Sequence, residues 1–292
     1  MTWCDRAFRV ASGPYAAGMG DLIPLFPLGS PVFPGVVLPL QIFEPRYRRL
    51  MHDLMALPES GDRRFFGVVA IKQGWEVEQV APAEALYDIG CTARLRAVRP
   101  QSDGCFRIVT VGGDRFRLLD VVVGEDPPYL QGEVEWLAED EDADDAAAGS
   151  DGTAGASLGP DRAAGLEDVV ADAARVSMEV LARGVRTLFT RYVSEVAGLS
   201  VGRGDSGPGE AVDAETAVLV GAVADDPAAL SYLVASAALL TTEDRQALLA
   251  ESATRCRLAA ESRLLRRELT LLTTLGAVPA PLHEFAAPMT VN

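Results

Sequence analysis

The 292-residue chain contains few of the side chains that most catalytic and metal sites require: one lysine, two histidines and four cysteines. The cysteines lack C-x-x-C spacing, and two histidines are too few to complete a typical structural zinc site with them. The lysine, Lys72, lies outside a P-loop frame, and no serine is singled out to use it as a base. The 42 acidic residues leave a paired-carboxylate hydrolase open, but no pair stands out. We therefore predict a non-catalytic protein with no metal and no cofactor.

Long hydrophobic runs are also missing. No stretch of about 18 residues is free of charged residues and helix breakers, so no transmembrane helix is expected. The N-terminus has no basic region followed by an apolar run, so no signal peptide is expected. Because the cysteines also show no disulfide pattern, the sequence predicts a cytoplasmic protein.

Positive charge is scarce, since 26 basic residues against 42 acidic residues give a formal net charge of −16. The net negative charge of the chain repels the phosphates of a nucleic acid, but a local basic patch can still attract them. Such a patch would support RNA binding if seven arginines converged on one face: Arg46, Arg48, Arg49, Arg63, Arg64, Arg94 and Arg96.

Residues 21–137 have the pattern of a β-domain, after a loose leader over residues 1–20. Short β-branched and aromatic runs alternate with turn-like segments. One helix is predicted from Pro45 to about Leu57, with Pro45 in its first turn. The glycine pair Gly112-Gly113 predicts a hairpin between strands over residues 106–111 and 116–123.

Residues 138–162 are acidic and rich in Ala, Gly and Ser, which predicts a flexible linker. Beyond it, a helical period predicts a bundle over residues 163–276, followed by a tail over 277–292. Within the bundle, residues 198–209 are expected to form a loop, and a helix is expected over about 214–224. Another helix is predicted to start at Asp226-Pro227, and a long last helix to run from Thr242 to about Leu275.

The stretch from Leu22 to Leu50 carries five prolines ahead of its helix, at positions 24, 27, 31, 34 and 39, among bulky apolar residues. Because proline lacks a backbone N–H, these prolines indicate edge strands, bulges and exposed turns. Two interpretations fit this pattern. The first is rigid packing of loops, and the second is a groove or sheet edge that binds an extended apolar peptide. For the second interpretation, Glu44 and Arg46 would fix polar ends, and the apolar contacts would be Phe33, Val36, Leu38, Ile42, Phe43 and Tyr47.

The same stretch resembles the N-terminal substrate-binding domain of the Lon protease family, especially its stand-alone relatives. The motifs that carry the resemblance are Ile23-Pro24-Leu25, Pro34-Gly35, Leu38-Pro39-Leu40, Ile42-Phe43-Glu44-Pro45-Arg46-Tyr47, Ile89-Gly90-Cys91-Thr92-Ala93-Arg94-Leu95 and Gly112-Gly113-Asp114-Arg115-Phe116-Arg117-Leu118. Looser matches to the helical extension of the family follow at Asp226-Pro227-Ala228-Ala229-Leu230 and Arg245-Gln246-Ala247-Leu248-Leu249.

The resemblance implies an α+β fold, with a small PUA-like β-barrel that carries one helix and is followed by a helical bundle. It also implies a proteolysis-related role in recognising unfolded or apolar protein segments, or in docking a partner protein such as a separate protease. It does not imply proteolysis, because the ATPase and protease modules of the family are absent from these residues. RNA binding is the alternative, since PUA-like barrels often serve RNA.

Overall fold

The computed structural model describes residues 21–58, 63–72, 84–139, 160–201, 218, 220–223 and 225–275. Six strands occupy the first part of the chain: β1 (Asp21–Leu28), β2 (Val37–Ile42), β3 (Phe65–Ala70), β4 (Ile89–Pro100), β5 (Phe106–Val122) and β6 (Gln131–Leu137). The principal helices are α1 (Pro45–Ala56), α2 (Pro160–Val201), α3 (Pro227–Ala237), α4 (Thr242–Ala250) and α5 (Thr254–Leu275). The predicted α+β class is confirmed.

The six strands form one mixed sheet in the order β2-β5-β4-β3-β1-β6. The β1–β3 pair is parallel and the other pairs are antiparallel. Because the second half of β5 also pairs with β6, the sheet closes on itself as a small barrel. β2 pairs with the first half of β5 only and so forms an edge of the sheet.

The predicted Gly112-Gly113 hairpin is wrong, because both glycines lie inside the continuous strand β5. Close packing explains why glycine is needed there. A Cβ atom on Gly112 would lie 1.9 Å from the Phe33 carbonyl oxygen, and one on Gly113 would lie 2.6 Å from Thr92 Oγ1. The glycine pair therefore allows another backbone to approach the strand and does not mark a turn.

Two of the prolines lie in a strand that has neighbouring strands on both sides. Pro24 and Pro27 belong to β1, which lies between β3 and β6. The pairing changes partway along the strand, since residues 21–24 pair with β6 and residues 25–28 pair with β3. Each proline therefore lies in a half of β1 that has a partner strand on one side only, and its missing N–H does not interrupt a two-sided ladder.

The predicted long last helix is also wrong, because it is divided into α4 and α5 at residues 251–253. No glycine or proline causes the break. Instead, the Arg115 guanidinium donates to the Leu249 carbonyl oxygen (2.9 Å), and Arg257 donates to the Glu251 carbonyl oxygen (2.6 Å). Carbonyls at the end of a helix lack intrahelical partners, so these two arginines satisfy the end of α4 and favour the break.

The chain divides into two compact units. One comprises Met1–Ala138 and Arg245–Ala250, and the other comprises Glu139–Asp244 and Glu251–Asn292. Part of α4, which the sequence assigned to the bundle, thus belongs to the barrel unit. α2 begins at Pro160, inside the predicted linker, and continues through Val201, beyond the predicted start of a loop at residue 198.

Several predictions of domain organisation lie largely outside the described residues: the leader, most of the linker, the loop beyond Val201, most of the 214–224 helix and the tail. The helix starting at Pro227 is present, and its Asp226 cap accepts a hydrogen bond from the Ala229 amide (2.9 Å). None of the helices in the described part of the chain is both long and apolar enough to cross a membrane.

Candidate functional site

Strand β2 alternates between two faces. The side chains of Leu38, Leu40 and Ile42 point inward and are half-buried or buried, whereas Val37, Pro39 and Gln41 are exposed. This alternation follows from the two-residue period of a strand, so a shift of one residue would exchange the two sets.

Neighbouring strands continue the exposed side of β2. Val37, Pro39 and Gln41 pair with alternate residues of β5, and these in turn pair with β4. Because directly opposed residues of antiparallel strands project to the same side, the nine residues share one surface, here called the outer face. Its members are Val37, Pro39 and Gln41 of β2, Arg107, Val109 and Val111 of β5, and Arg94, Ala97 and Arg99 of β4.

The outer face exposes apolar side chains. Val37 is 60% exposed and Val109 is 38% exposed. Phe43 follows β2 directly, in phase with Val37 and Gln41, and is 64% exposed. Val37 and Val109 lie on adjacent strands and Phe43 lies about 20 Å further along the line of β2 than Val37, so accessible apolar side chains are spread along this side of the sheet.

The free edge of β2 is interrupted by Pro39. Thr110 Oγ1 donates to the Leu38 carbonyl oxygen (2.9 Å), which places that carbonyl on the β5 side of the strand. The backbone groups of Val37, Pro39 and Gln41 therefore point away from β5. Since Pro39 has no N–H, the free edge offers amide donors only at Val37 and Gln41, and proline at such a position protects an edge from further strand pairing.

Three of the predicted contact residues are buried. Phe33 and Ile42 are almost inaccessible, and Tyr47 is 4% exposed with its ring 4.1 Å from that of Phe26. The Arg245 guanidinium lies 6.0 Å from the centre of the Phe33 ring. These side chains are packing residues in this structure and do not contribute to an accessible surface.

Burial also accounts for the ionisation of Tyr47. Loss of hydration raises the pKa of its phenol to about 12, although the neighbouring Arg46 guanidinium opposes this change. Tyr47 is therefore a neutral core residue at physiological pH.

The remaining predicted residues are partly accessible. Val36 and Leu38 are half-buried. Glu44 precedes α1, and its carboxylate accepts a hydrogen bond from Arg46 Nε (2.8 Å). The two polar residues that were expected to fix the ends of a peptide thus bind each other, and the Arg46 guanidinium also covers the Tyr47 ring at 4.7 Å.

Four of the seven arginines considered for RNA binding have intramolecular partners. Arg46 pairs with Glu44, Arg49 with Asp53 and Asp126, and Arg94 with Asp114. Arg64 donates to the carbonyl oxygens of Met55 and Leu57 at the end of α1. The other three are Arg48, which is half-buried, and Arg63 and Arg96, which are exposed.

Sequence reasoning missed Val37, Val109, Arg99 and Arg107, and it chose the opposite side of β2 by selecting Leu38. The sequence did contain a signal for the exposed side of β2. Val37, Pro39 and Gln41 alternate along the strand, and this set includes a proline, which avoids hydrogen-bonded positions, and a glutamine, which favours solvent. The pairing of β5 with β4, which adds Arg99 and Arg107, depends on residues far apart in the chain.

The structure describes Lys72, His52, Cys91 and Cys105, whose side chains are of types that catalysis uses. Lys72 Nζ donates to the Glu84 carbonyl oxygen (3.2 Å), and His52 packs edge-on against Phe106. Cys91 is buried near the start of β4, and burial raises the pKa of its thiol to about 12. Cys105 lies beyond the other end of β4, so the two thiols do not form a pair. Within the described residues, no cluster of three or more His, Cys, Asp and Glu side chains could hold a metal.

Comparison with known proteins connects this architecture to one family. The sequence model described as the ATP-dependent protease La (LON) substrate-binding domain matches residues 22–267. Lon protease 1 of Herpetosiphon aurantiacus is 25% identical over 253 residues, which are 86% of this chain and 25% of that protein. Lon protease 2 of Syntrophobacter fumaroxidans is 31% identical over 124 residues, which are 42% of this chain and 15% of that protein. The chain thus spans about a quarter or less of the length of these relatives.

Solved structures are also similar to this chain. A Lon N-terminal domain protein from Xanthomonas campestris aligns with a TM-score of 0.48 and 22% identity, covering 84% of this chain and 97% of that one. The N-terminal domain of the Mycobacterium avium complex Lon protease aligns with a TM-score of 0.46 and 16% identity, covering 84% and 98%. Because the family's sequence model extends over both the strands and the helices described above, this chain belongs to the Lon substrate-binding domain family.

Proposed function

We propose that this chain is a non-catalytic recognition module that binds apolar segments of unfolded or partner proteins on its outer face. The observation that carries the proposal is the exposure of Val37 and Val109 on the outer face, and of Phe43 at the end of β2, on a domain of this family. Such side chains favour burial against another molecule by roughly 25 cal/mol per Å² of apolar surface removed from water.

The free edge of β2 would contribute little to peptide binding, although it is the unpaired edge of the sheet. A peptide that added to the sheet as a strand would find amide donors at Val37 and Gln41 and none at Pro39 between them. The bound segment would therefore be held mainly by its side chains on the outer face, with few main-chain hydrogen bonds at the edge.

Binding by a small open surface is expected to be weak. Standard protein interfaces bury at least about 1,200 Å² in total, and three apolar side chains on an open sheet offer far less. We expect affinities of roughly micromolar or poorer, which suits a module that samples many segments.

RNA binding receives less support. Arg46, Arg49, Arg64 and Arg94 donate to groups of the chain itself, so phosphates would have to compete with existing partners. The net charge of −16 adds a general repulsion.

The decisive experiment measures binding of a fluorescein-labelled, unfolded, valine- and phenylalanine-rich peptide by anisotropy. Val37→Ser with Phe43→Ser is expected to weaken binding by about tenfold or more, since an anchor residue is worth more than about 1 kcal/mol. A matched control replaces Leu119 and Val123, which are 52% and 63% exposed and do not belong to the outer face. Leu119→Ser with Val123→Ser should leave the affinity unchanged.

Equal losses in the two double variants would show that binding follows general surface hydrophobicity, and the site would be wrong. The absence of catalysis is tested separately with the purified chain, which should turn over neither ATP nor casein. An activity that disappears on Lys72→Ala would contradict the non-catalytic role.

A further inference from the structure

Two arginines of the outer face lie directly opposite each other. Arg99 of β4 and Arg107 of β5 are register partners, and both are exposed. Like charges in directly opposed positions of a sheet are unfavourable. In the part of the chain that the structure describes, no acidic side chain forms an ion pair with either of them.

Apolar residues continue the face from this pair. Along β5, Arg107 is followed on the same side by Val109 and Val111, and next to Arg99 on β4 lies Ala97. The outer face is thus basic at one end and apolar beyond it. Its other arginine, Arg94, already pairs with Asp114 at 2.7 Å.

We propose that the segment bound here is acidic as well as apolar, with Asp or Glu placed against Arg99 and Arg107 and apolar side chains against Val109 and Val111. The inference rests on the proposed function and names the chemistry of its ligand. Guanidinium groups form charge-assisted hydrogen bonds with carboxylates, and two adjacent guanidiniums can share one carboxylate or take two.

The geometry of the sheet predicts the spacing in the ligand. Same-side residues of a strand lie about 6.8 Å apart, and an extended peptide has the same period. A peptide lying along β5 would therefore match Arg107, Val109 and Val111 with every second residue. The predicted pattern is an acidic residue, any residue, an apolar residue, any residue and a second apolar residue.

The apolar residues favour a peptide over a nucleic acid. Phosphates would satisfy Arg99 and Arg107, but the exposed Val109 side chain would remain uncovered. An acidic and apolar peptide would cover both parts of the face.

The test compares three fluorescein-labelled peptides that contain Glu-Ser-Val-Ser-Val, Gln-Ser-Val-Ser-Val or Lys-Ser-Val-Ser-Val between the same neutral flanks. The glutamate peptide is expected to bind about three- to tenfold more tightly than the glutamine peptide, and the lysine peptide most weakly. At about 1 M salt, where the Debye length is about 3 Å, the advantage of glutamate over glutamine should largely disappear.

The same peptides are measured on Arg99→Gln with Arg107→Gln. This variant should bind the glutamate and glutamine peptides with equal affinity. Its affinity for the glutamine peptide should match that of the unmodified chain. The control, Arg263→Gln with Arg266→Gln, removes two exposed arginines of α5 and should keep the preference for glutamate. Melting temperatures are recorded for both variants, which should remain folded because all four side chains are exposed.

The outcomes separate the two proposals. Equal binding of the glutamate and glutamine peptides to the unmodified chain overturns the acidic preference and leaves the proposed function standing. Failure of all three peptides and of the apolar peptide to bind the folded chain overturns both. A third outcome is that single-stranded RNA displaces the glutamate peptide and no longer binds to the Arg99→Gln, Arg107→Gln variant. The two arginines would then bind phosphate groups, and the inference would be wrong.

Discussion

The two units of the chain bury different kinds of side chain. The barrel core consists mainly of aromatic and aliphatic residues such as Leu25, Phe66 and Phe116, and it also buries the Arg115 guanidinium. The helical unit has a leucine-rich core too, but it also buries Arg257, Glu261 and Glu268 on α5. Both units therefore bury an arginine, but among the described residues the buried carboxylates belong to the helical unit, so its stability depends more strongly on how buried charges are paired.

Within the helical unit, Arg257 and Glu261 represent opposite cases. Arg257 donates to Ser231 Oγ (2.7 Å) and to the Glu251 carbonyl oxygen (2.6 Å), and its guanidinium covers the Tyr232 ring at 4.0 Å. Both carboxylate oxygens of Glu261 are buried without a hydrogen bond in the described structure. A satisfied buried charge is costly to remove, whereas an unsatisfied one is costly to keep.

The largest effect is expected from Arg257→Ala. Removing the guanidinium deletes its hydrogen bonds to Ser231 Oγ and the Glu251 carbonyl oxygen and its ion pair with Glu139, so the free energy of unfolding should fall by about 3–5 kcal/mol. Urea unfolding followed by circular dichroism measures the change. The control is Arg263→Ala, an exposed arginine on the same helix, which should produce no measurable loss. Similar losses in both variants would show that the burial and hydrogen bonds of Arg257 do not make it more important for stability than an exposed arginine.

The second prediction separates core from surface within the barrel unit. Tyr47→Ala should lower the free energy of unfolding by about 3–4 kcal/mol because it removes a buried ring packed on Phe26. Phe43→Ala, four residues earlier, should leave stability within about 0.5 kcal/mol and weaken peptide binding. Thermal melting and peptide anisotropy on both variants check this. If the Tyr47→Ala variant were stable but no longer bound the peptide, Tyr47 would be a binding residue and the prediction would be wrong.

A smaller loss is predicted for Gly112→Ala. The new methyl group would meet the Phe33 carbonyl oxygen, and relieving that overlap should cost about 1–3 kcal/mol. At Gly29, a Cβ atom meets nothing within 4 Å, so Gly29→Ala should leave the melting temperature unchanged or slightly raised. If Gly112→Ala were equally harmless, packing in the barrel would be looser than its contacts indicate.

The smallest effect is expected from Glu261→Gln, and it depends on pH. Burial raises the pKa of Glu261 well above its usual 4.5, against a smaller opposing attraction from Arg257. Because the folded state then binds the proton more tightly than the unfolded state, this group lowers stability as the pH rises above about 4.5. The variant should therefore be more stable than the unmodified chain at neutral pH.

The difference should shrink as the pH is lowered toward 4.5, where the unfolded carboxyl also becomes protonated. Chemical unfolding of both proteins across this range gives the comparison, in which the titration of other acidic residues cancels. A constant difference at all pH values would show that Glu261 is not the titrating group.

Elements specified by neighbouring residues were predictable. The helix expected from Pro45 to about Leu57 is α1, because its apolar residues repeat at helical spacing and Pro45 suits a first turn. The start of α3 at Asp226-Pro227 was likewise readable, since the Asp226 side chain caps the helix through a local hydrogen bond.

Elements that depend on distant residues were not. The sequence Gly112-Gly113 is typical of a turn, and its role in close packing depends on the contact with Phe33. The end of α4 depends on the hydrogen bond from Arg115 to the carbonyl oxygen of Leu249, 134 residues away in the chain. The candidate site shows the same limit, since Phe43 was found from its local context but Arg99 and Arg107 meet only through strand pairing.

The sequence by itself determined the class of each half, the family and the low content of catalytic side chains, because periodicity, composition and motifs are properties of neighbouring residues. Only the tertiary structure decided which side of β2 faces solvent, which aromatic ring is buried and which arginines remain without acidic partners. Those outcomes depend on contacts between residues far apart in the chain, and a local pattern is compatible with more than one set of them.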